Sequence, residues 1–404
     1  MRHLLAAIAL AALSACGFIG ADRSEDDATA ADRMANSTTQ NLADTMASDD
    51  EGLARVDPAL AIADPEARPV MQAQVVLDRL GFGPGVIDGE MGLSTRNALM
   101  GFQEANKLLV TGELDDTTRG ALDVWNKIPA TRVVRIPQEW AEIAFAPIPD
   151  DPAEQAKLER MGYTSLDEKL AERFHTTIDV LVALNPGGRP AGAPGEATTT
   201  VNGQGTIAAR PPSPSPTASG APAPANFRPG QIVRVPNVGA DRIAPGAVDD
   251  DDWRATLVSL GVGTEQPEAA RIVVSKSAGT LRAYDGDGKL VALFTVTTGS
   301  RRDPLPLGEW QILATVLNPS FTYNPELFWD VPDGDAKQQL PPGPNGPVGV
   351  VWIDLSKEHY GIHGTPEPHT IGRAESHGCV RLTNWDVARL AQMVSRETRV
   401  LFEA

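Results

Sequence analysis

Cys379 is the residue whose chemistry the rest of the sequence has to support. The chain has 404 residues with two cysteines and six histidines, and three of those histidines lie in the segment YGIHGTPEPHTIGRAESHGCVR, from Tyr360 to Arg381. A thiol is largely protonated at neutral pH, so a catalytic cysteine needs a base that takes its proton. His377 lies two residues before Cys379, on the same face of an extended segment. His363 lies further upstream and can reach the thiol only if the chain folds back.

Two short apolar runs and a loop are predicted to bring His363 back to the cysteine. Residues 350–353 (VVWI) and 360–362 (YGI) are typical of buried strands. Residues 364–376 are rich in Pro and Gly and have no apolar period, which favours a loop that crosses over a site. His363 is therefore expected at a strand end, facing Cys379 across that loop.

The residues around the cysteine suggest how it could be held. Gly378 allows a close backbone turn, and main-chain amides near Gly378 and Cys379 could donate to a developing oxyanion. Thr383 or Asn384 is predicted to cap a helix that packs on the core and holds the loop. Arg381, on the same face as Cys379 if the strand continues, offers a planar fork for a carboxylate.

Two other interpretations of these residues remain open. A free buried cysteine is often only a small apolar side chain. A zinc ion is the second alternative, since His363, His369, His377 and Cys379 could supply ligands. Their spacing gives no clear HxH, HExxH or CxxC pattern, and His369 lies between prolines and glycines, as a solvated loop residue would. The sequence therefore predicts no metal site and no cofactor.

Residues 362–365 (IHGT) and 376–381 (SHGCVR) resemble the signature of the L,D-transpeptidases, the YkuD-type catalytic domain of bacterial cell-wall enzymes. The likeness extends from about Arg271 to the C-terminus. Residues 341–349 (PPGPNGPVG) also resemble a stretch found in members that carry accessory wall-binding modules.

The resemblance implies a role for each residue of the motif. The histidine matching His363 donates and accepts the proton, and the cysteine matching Cys379 is the nucleophile. The third member of the family's catalytic set is usually a backbone carbonyl beside the histidine, which here is that of Gly364. The other expected site residues are Ser376, His377 and Gly378 around the oxyanion, with Tyr360 and Arg381 toward the substrate.

The N-terminal sequence predicts that the protein is exported from the cytoplasm. A short basic start precedes an apolar run too short to span a bilayer, as in a secretory signal over residues 1–16. The run ends in LSAC, which resembles the lipobox of bacterial lipoproteins, and the resemblance implies lipidation of Cys16. The implied location is the periplasm, lipid-anchored at the inner leaflet of the outer membrane, because Gly17 rather than an aspartate follows. A secreted protein cut at a nearby site is the alternative.

Charge and composition describe the next segment. The formal net charge of −18 argues against nucleic acid as a partner, because a polyanion would be repelled. Much of the acidity lies in stretches that contain hardly an aromatic residue and cannot bury a core. Residues 17–66 are therefore predicted to form a flexible linker.

A weak internal repeat marks residues 67–125. A Gly turn followed by a capped helix occurs twice at constant spacing. Its members are Asp88-Gly89, Thr95 and Leu99 in the first copy and Thr111-Gly112, Thr118 and Leu122 in the second. The pattern resembles the small helical peptidoglycan-binding domain, although Thr111 replaces the aspartate that is usual in the second turn.

A second accessory module is predicted after a connector at 126–157. Residues 158–237 resemble a LysM module, a small βααβ unit that binds N-acetylglucosamine polymers, with a weak first strand and an insertion at 187–225. The composition of this insertion is that of a disordered linker. A further linker is predicted at 238–268.

The fold class expected is a multidomain one: a small α-helical peptidoglycan-binding domain, a small α/β LysM-like module and a catalytic domain at 269–404. Alternating apolar residues and an Asp-Gly turn predict a mainly antiparallel β barrel or sandwich for that domain. The resemblance implies a peptidoglycan L,D-transpeptidase that forms a 3-3 crosslink or attaches a wall-anchored lipoprotein. An L,D-carboxypeptidase or hydrolase with the same Cys-His site, and a non-catalytic wall-binding lipoprotein, remain alternatives.

Overall fold

The computed structural model describes residues 58–194, 225–239, 243–325, 336–374, 376 and 378–404. The predicted signal peptide with Cys16, most of the predicted linker 17–66, the middle of the insertion 187–225 and His377 lie outside the described residues. Within the described ranges, no helix is long and apolar enough to cross a bilayer.

The N-terminal helical domain has three helices, α1 Pro69–Arg79, α2 Leu93–Ala105 and α3 Asp116–Leu122. Helix α1 starts with a proline, whose fixed φ suits the first helical position, and it stops before Gly81, where φ is +86°. Asp115 caps α3 by accepting a hydrogen bond from the Thr118 amide at 2.8 Å. The buried core of this domain includes Val75, Leu77, Ile87, Leu99 and Phe102.

A buried glutamine organises the first copy of the repeat. The Gln74 side-chain amide donates to Asp88 Oδ1 at 2.9 Å and to Thr95 Oγ1 at 3.0 Å. Its oxygen accepts from the Gly89 amide at 2.8 Å. The Asp-Gly turn and the start of α2 are therefore held by one side chain.

The second copy repeats this network around Gln103. Its amide donates to Thr111 Oγ1 and Thr118 Oγ1, both at 2.9 Å, and its oxygen accepts from the Gly112 amide at 2.9 Å. The Thr111 hydroxyl thus takes the place of the Asp88 carboxylate, so the departure from the usual aspartate leaves the turn intact.

The second module pairs two strands that are distant in sequence. Strand β1 Thr131–Arg135 lies antiparallel to β2 Ile232–Pro236. The helices of the module are α4 Pro152–Gln155, α5 Leu166–Arg173 and α6 Ile178–Leu184. The chain order is β1, α4, α5, α6 and β2, and both β1 and α4 lie in the segment predicted as a connector, 126–157. The alternating sequence of β1, TRVVR, is too short to stand out without its partner strand.

The predicted linker 238–268 instead contains a helix, α7 Asp251–Leu260. Its Trp253, Leu257 and Leu260 are buried in the core of the C-terminal domain. The acidic run at its start serves the helix: Asp250 caps it by accepting from the Trp253 amide at 3.0 Å.

The C-terminal domain is built on one eight-stranded sheet. The strands are β3 Arg271–Ser275, β4 Thr280–Tyr284, β5 Leu290–Thr295, β6 Gly308–Leu317, β9 Val351–Leu355, β10 Gly361–His363, β11 Val380–Arg381 and β12 Arg399–Glu403. Their order in the sheet is β11-β10-β9-β6-β12-β3-β4-β5. Two neighbouring pairs, β12 with β3 and β10 with β11, are parallel, and the others are antiparallel. A separate pair consists of β7 Phe321–Tyr323 and β8 Gln338–Leu340.

The sheet curls until its two edges meet. Just after β5, Thr297 forms an antiparallel bridge with Arg381 of β11. Each amide donates to the other residue's carbonyl, at 3.0 and 2.9 Å. Helix α8 Asn384–Met393 follows β11, and Thr383 caps it by accepting from the Asp386 amide at 3.1 Å. The predicted helix after the cysteine is confirmed.

The N-terminal domain joins the sheet directly. Residues 81–83 lie along β5, where the Gly83 amide donates to the Leu293 carbonyl at 2.8 Å and the Leu293 amide donates to the Gly81 carbonyl at 3.2 Å. The fit requires glycine nearby, since a Cβ on Gly101 would lie 2.8 Å from the Leu293 Cβ.

A buried ionic cluster links all three parts of the described chain. Asp78 of α1 accepts from both terminal nitrogens of Arg389 in α8, at 2.9 and 2.7 Å. His175, just after α5, lies 3.1 Å from Asp78 Oδ1 and stacks on Trp385 with ring centroids 4.8 Å apart. The accessory modules are therefore packed on the C-terminal domain through charged side chains.

Candidate active site

Strands β10 and β11 bring the two predicted chemical residues to one region of the sheet. In their parallel register, Ile362 is opposite Val380 and His363 is opposite Arg381. Cys379 directly precedes β11. By ordinary strand spacing, Cα atoms offset by two residues on neighbouring strands lie about 8 Å apart, within reach of a side-chain contact.

His363 is buried and held by its neighbour's backbone. Its Nδ1 lies 2.7 Å from the Gly364 carbonyl oxygen, and since a carbonyl only accepts, Nδ1 carries the proton and Nε2 offers a lone pair. The Trp352 ring stacks on the imidazole, with centroids 5.5 Å apart and planes at 24°. Burial first, and the Arg381 cation second, lower the pKa of His363 to about 3 despite the Gly364 carbonyl.

The Cys379 sulfur lies beside the start of β10. Its Sγ donates to the His359 carbonyl at 3.7 Å. Burial raises the pKa of Cys379 above its usual value, although the Gly361 backbone and the Arg381 cation favour the thiolate. The resting site therefore contains a neutral thiol and a neutral imidazole rather than an ion pair.

A tight turn precedes the cysteine. Gly378 has φ of +108°, and a Cβ there would lie 2.5 Å from Tyr360 Cε1. The Ser376 hydroxyl accepts from the Gly378 amide at 3.2 Å and donates to the Cys379 carbonyl at 2.6 Å. The Gly378 amide thus already donates to the Ser376 hydroxyl. This differs from the expectation that it would face an oxyanion.

Arg381 and Tyr360 complete the described part of the site. The buried Arg381 Nε has no hydrogen-bond partner within the described residues. Burial first, then the nearby charges of Cys379 and Asp303, raise the pKa of Tyr360. Both side chains expected to face the substrate therefore lie close to the thiol.

Of the four residues considered as zinc ligands, His363, His369 and Cys379 lie in the described ranges. His369 is exposed in a 3₁₀ turn, Pro368–Thr370. No group of three or more His, Cys, Asp or Glu side chains suited to a metal ion occurs in the described ranges. His377, the other candidate base and ligand, lies outside them.

Two residues of the site are not evident from the sequence. Trp352 covers the imidazole, and its position in the predicted strand 350–353 indicates its element but not its neighbour. The sequence suggests Asn384 only as a helix cap, yet its Oδ1 accepts from the Val350 amide at 3.2 Å and packs against Gly364. An asparagine at the first turn of an apolar helix is the available clue.

Comparison with known proteins identifies two parts of the chain. Residues 269–401 match the family model of the L,D-transpeptidase catalytic domain, YkuD, and residues 66–122 match a model described as "Putative peptidoglycan binding domain". The first model confirms the resemblance of the catalytic part, and the second confirms that of the helical part. Neither model extends over the LysM-like module.

Individual proteins with similar sequences carry the same family name. "Putative L,D-transpeptidase YkuD" of Bacillus licheniformis is 38% identical over 145 residues, which are 36% of this chain and 72% of that relative. Its namesake in Bacillus subtilis is 56% identical over 57 residues, 14% of this chain, so the match spans only 35% of that protein's length. A solved L,D-transpeptidase from Mycobacterium smegmatis is 22% identical, with a TM-score of 0.28, over 33% of this chain and 58% of its own. By the identity and coverage of the Bacillus licheniformis relative, this chain belongs to the YkuD family of L,D-transpeptidases.

Proposed function

We propose that this protein is a peptidoglycan L,D-transpeptidase with Cys379 as nucleophile and His363 as its base. The observation that carries the proposal is the 2.7 Å hydrogen bond from His363 Nδ1 to the Gly364 carbonyl. It fixes the tautomer in which Nε2 can accept a proton. The parallel register of β10 and β11 adds that the strand carrying this imidazole pairs with the strand that Cys379 directly precedes.

The first half-reaction acylates the cysteine. The thiol proton moves to His363 Nε2 as Sγ attacks the carbonyl of the third residue of a tetrapeptide stem. The tetrahedral oxyanion is stabilised by the Cys379 amide, since the Gly378 amide already binds Ser376. Collapse breaks the peptide bond, His363 returns the proton to the departing D-Ala amine, and a thioester remains.

The second half-reaction transfers the acyl group to an amine. The amine of another stem, or that of a wall-anchored lipoprotein, attacks the thioester, and His363 takes its proton. The products are a 3-3 crosslink or an attached lipoprotein, with the thiol regenerated as the proton returns to sulfur. If water attacks instead, the same residues give an L,D-carboxypeptidase.

Arg381 links substrate binding to the strength of the base. Its cation helps to keep the pKa of His363 near 3. A stem carboxylate paired with the Arg381 guanidinium would neutralise this effect and raise the proton affinity of His363. Proton transfer from the thiol then becomes easier when substrate is bound.

The other parts of the chain attach this site to its substrate. The helical domain, and the LysM-like module in the same way, would hold the enzyme on the glycan net and raise the local concentration of stems. Lipidation of Cys16 would add a membrane anchor at the periplasmic face of the outer membrane. Peptidoglycan is thus both substrate and attachment surface.

The test is mass analysis of muropeptides incubated with the full chain. Dimers linked between third residues support transpeptidation, and tripeptides alone indicate a carboxypeptidase. Unchanged stems indicate a non-catalytic wall-binding protein. Cys379→Ala should abolish all products and still sediment with wall sacculi. Loss of sedimentation together with activity would contradict the division of roles between the modules.

A further inference from the structure

The segment 341–349, which precedes β9, is the seam between the LysM-like module and the C-terminal domain. The Met161 amide donates to the Pro342 carbonyl at 2.9 Å, and the Asn345 amide donates to the Met161 carbonyl at 3.0 Å. The Asn345 side chain donates to Glu168 Oε1 at 2.8 Å. Gly343 has room for no side chain, because a Cβ would collide with the Met161 backbone. The module is therefore docked by specific contacts.

Glu172 also contacts the C-terminal domain. It lies on α5 and accepts at Oε1 from the Asn384 side-chain amide at 2.7 Å. Asn384, the first residue of α8, is fully buried, and its amide also donates to the Pro344 carbonyl at 3.0 Å. A glutamate of the accessory module thus fixes the orientation of a buried asparagine in the C-terminal domain.

Asn384 in turn packs against the backbone that holds His363. A Cβ added to Gly349 or to Gly364 would collide with Asn384 Oδ1, which shows how closely both glycines approach it. Gly364 provides the carbonyl that accepts from His363 Nδ1. Any rotation of the Asn384 amide would therefore press on the residue that orients the imidazole.

We propose that Glu172 is a positioning residue for His363, acting through Asn384 and the Gly364 carbonyl, so that the LysM-like module is a working part of the active site. The inference depends on the proposed Cys-His chemistry but not on which acceptor completes it. It predicts that thiol activation depends on a side chain that touches neither the thiol nor the substrate.

The protonation state of Glu172 suits this role. Burial first, and then the Glu168 charge, raise its pKa to about 8, against the opposing effects of Asn384, Tyr163 and Lys169. At neutral pH the carboxyl is therefore neutral and still accepts from Asn384. Glutamine reproduces that neutral acceptor, whereas alanine removes it.

The experiment measures the rate at which iodoacetamide alkylates Cys379 in the full chain, with the modified peptide identified by mass. Glu172→Ala should slow the reaction near neutral pH by about tenfold, because small misplacements of a base are costly. Glu172→Gln should stay within about twofold of the wild type. Glu168→Ala is the matched control, since it removes a docking hydrogen bond on the same helix without touching Asn384.

The outcomes separate positioning from mere stability. A slow E172A protein beside normal E172Q and E168A proteins supports the proposal, as does a fall in kcat for stem peptides at unchanged KM. Equal rates for E172A and E168A, or equal slowing in E172Q and E172A, would overturn it. If E172A does not fold, Glu172→Asp decides: its carboxyl is one methylene too short to reach the Asn384 amide, so alkylation should slow as expected for E172A, and a rate within about twofold of the wild type would overturn the proposal. Failure of the wild type to act on stems, with the alkylation differences intact, would refute the proposed function alone.

Discussion

Removing the charge of Asp78 should weaken the packing of all three modules at once. Asp78→Asn keeps the volume of the side chain but removes the anion that binds both terminal nitrogens of Arg389. Arg389 is 5% exposed, and its next carboxylate, Asp386 Oδ1, is 3.8 Å away. An unpaired buried charge costs about 3–5 kcal/mol.

Part of this cost should be recovered by Asp386. Burial raises the pKa of Asp386 to about 7, and the charge of Asp78 contributes to that shift. Without Asp78, Asp386 ionises more readily beside Arg389 and returns about 1 kcal/mol, the value of roughly one pKa unit. The expected net loss in the free energy of unfolding is therefore about 2–4 kcal/mol.

Urea denaturation of the full chain near pH 7, followed by tryptophan fluorescence and by circular dichroism, measures this loss and tests whether one transition suffices. The control is Asp116→Asn, which removes an exposed carboxylate of the same domain and should change nothing measurable. A loss for D78N below about 1 kcal/mol would refute the claim that the buried pair holds the modules together.

The pH dependence provides an independent check. Burial would raise the pKa of Asp78, but the charges of Arg389 and His175 outweigh it and hold that pKa well below its usual value of 3.8. Its stabilisation is therefore fully present above 3.8 and is lost only as the pH falls toward the lower folded pKa. The difference between wild type and D78N should grow by up to about 1 kcal/mol as the pH falls from about 7 to about 5, because Asp386 of the variant becomes protonated, and should shrink only below about pH 4.

Three further substitutions test other parts of the structure. Trp352→Ala should expose the imidazole of His363 and raise its pKa from about 3 toward the ordinary 6.5; an unchanged NMR titration would contradict burial as the main cause. Gly378→Ala should slow alkylation of Cys379 and cost about 1–3 kcal/mol in urea denaturation, since φ is positive and Tyr360 blocks a Cβ; normal behaviour in both assays would be evidence against strain at this turn. Glu172→Gln should gain stability relative to the wild type as the pH rises from about 4.5 to about 8. Only the wild type releases a proton from this residue when it unfolds, and a rising pH favours that release. Parallel stability curves would show that Glu172 is not protonated in the native protein.

The local parts of the site could be predicted because their determinants lie close together in sequence. The helix after Cys379 followed from its cap, Thr383, and from its apolar period. The turn at Gly378 followed from the glycine, and the return of His363 from the strands before it and the loop after it. Each depends on residues a few positions apart, where backbone preferences act directly.

The contacts between modules could not be predicted in this way. Strand β1 is recognisable only once it pairs with β2, which follows it after the insertion. Helix α7 was not predicted because its acidic start also suits a solvated linker. The Asp78–Arg389 pair and the Glu172–Asn384 hydrogen bond join side chains that are distant in sequence, and polar residues in amphipathic helices are usually solvent-exposed.

The backbone pairing of residues 81–83 with Leu293 has a consequence for any shortened form of this protein. Strand β5 would otherwise present free amides and carbonyls on its outer side, and such an edge is a template for pairing with another chain. A catalytic domain produced without its helical neighbour should therefore self-associate through this strand and tend to aggregate. The helical domain thus covers an edge strand of the sheet and so protects solubility, independently of any sugar it binds.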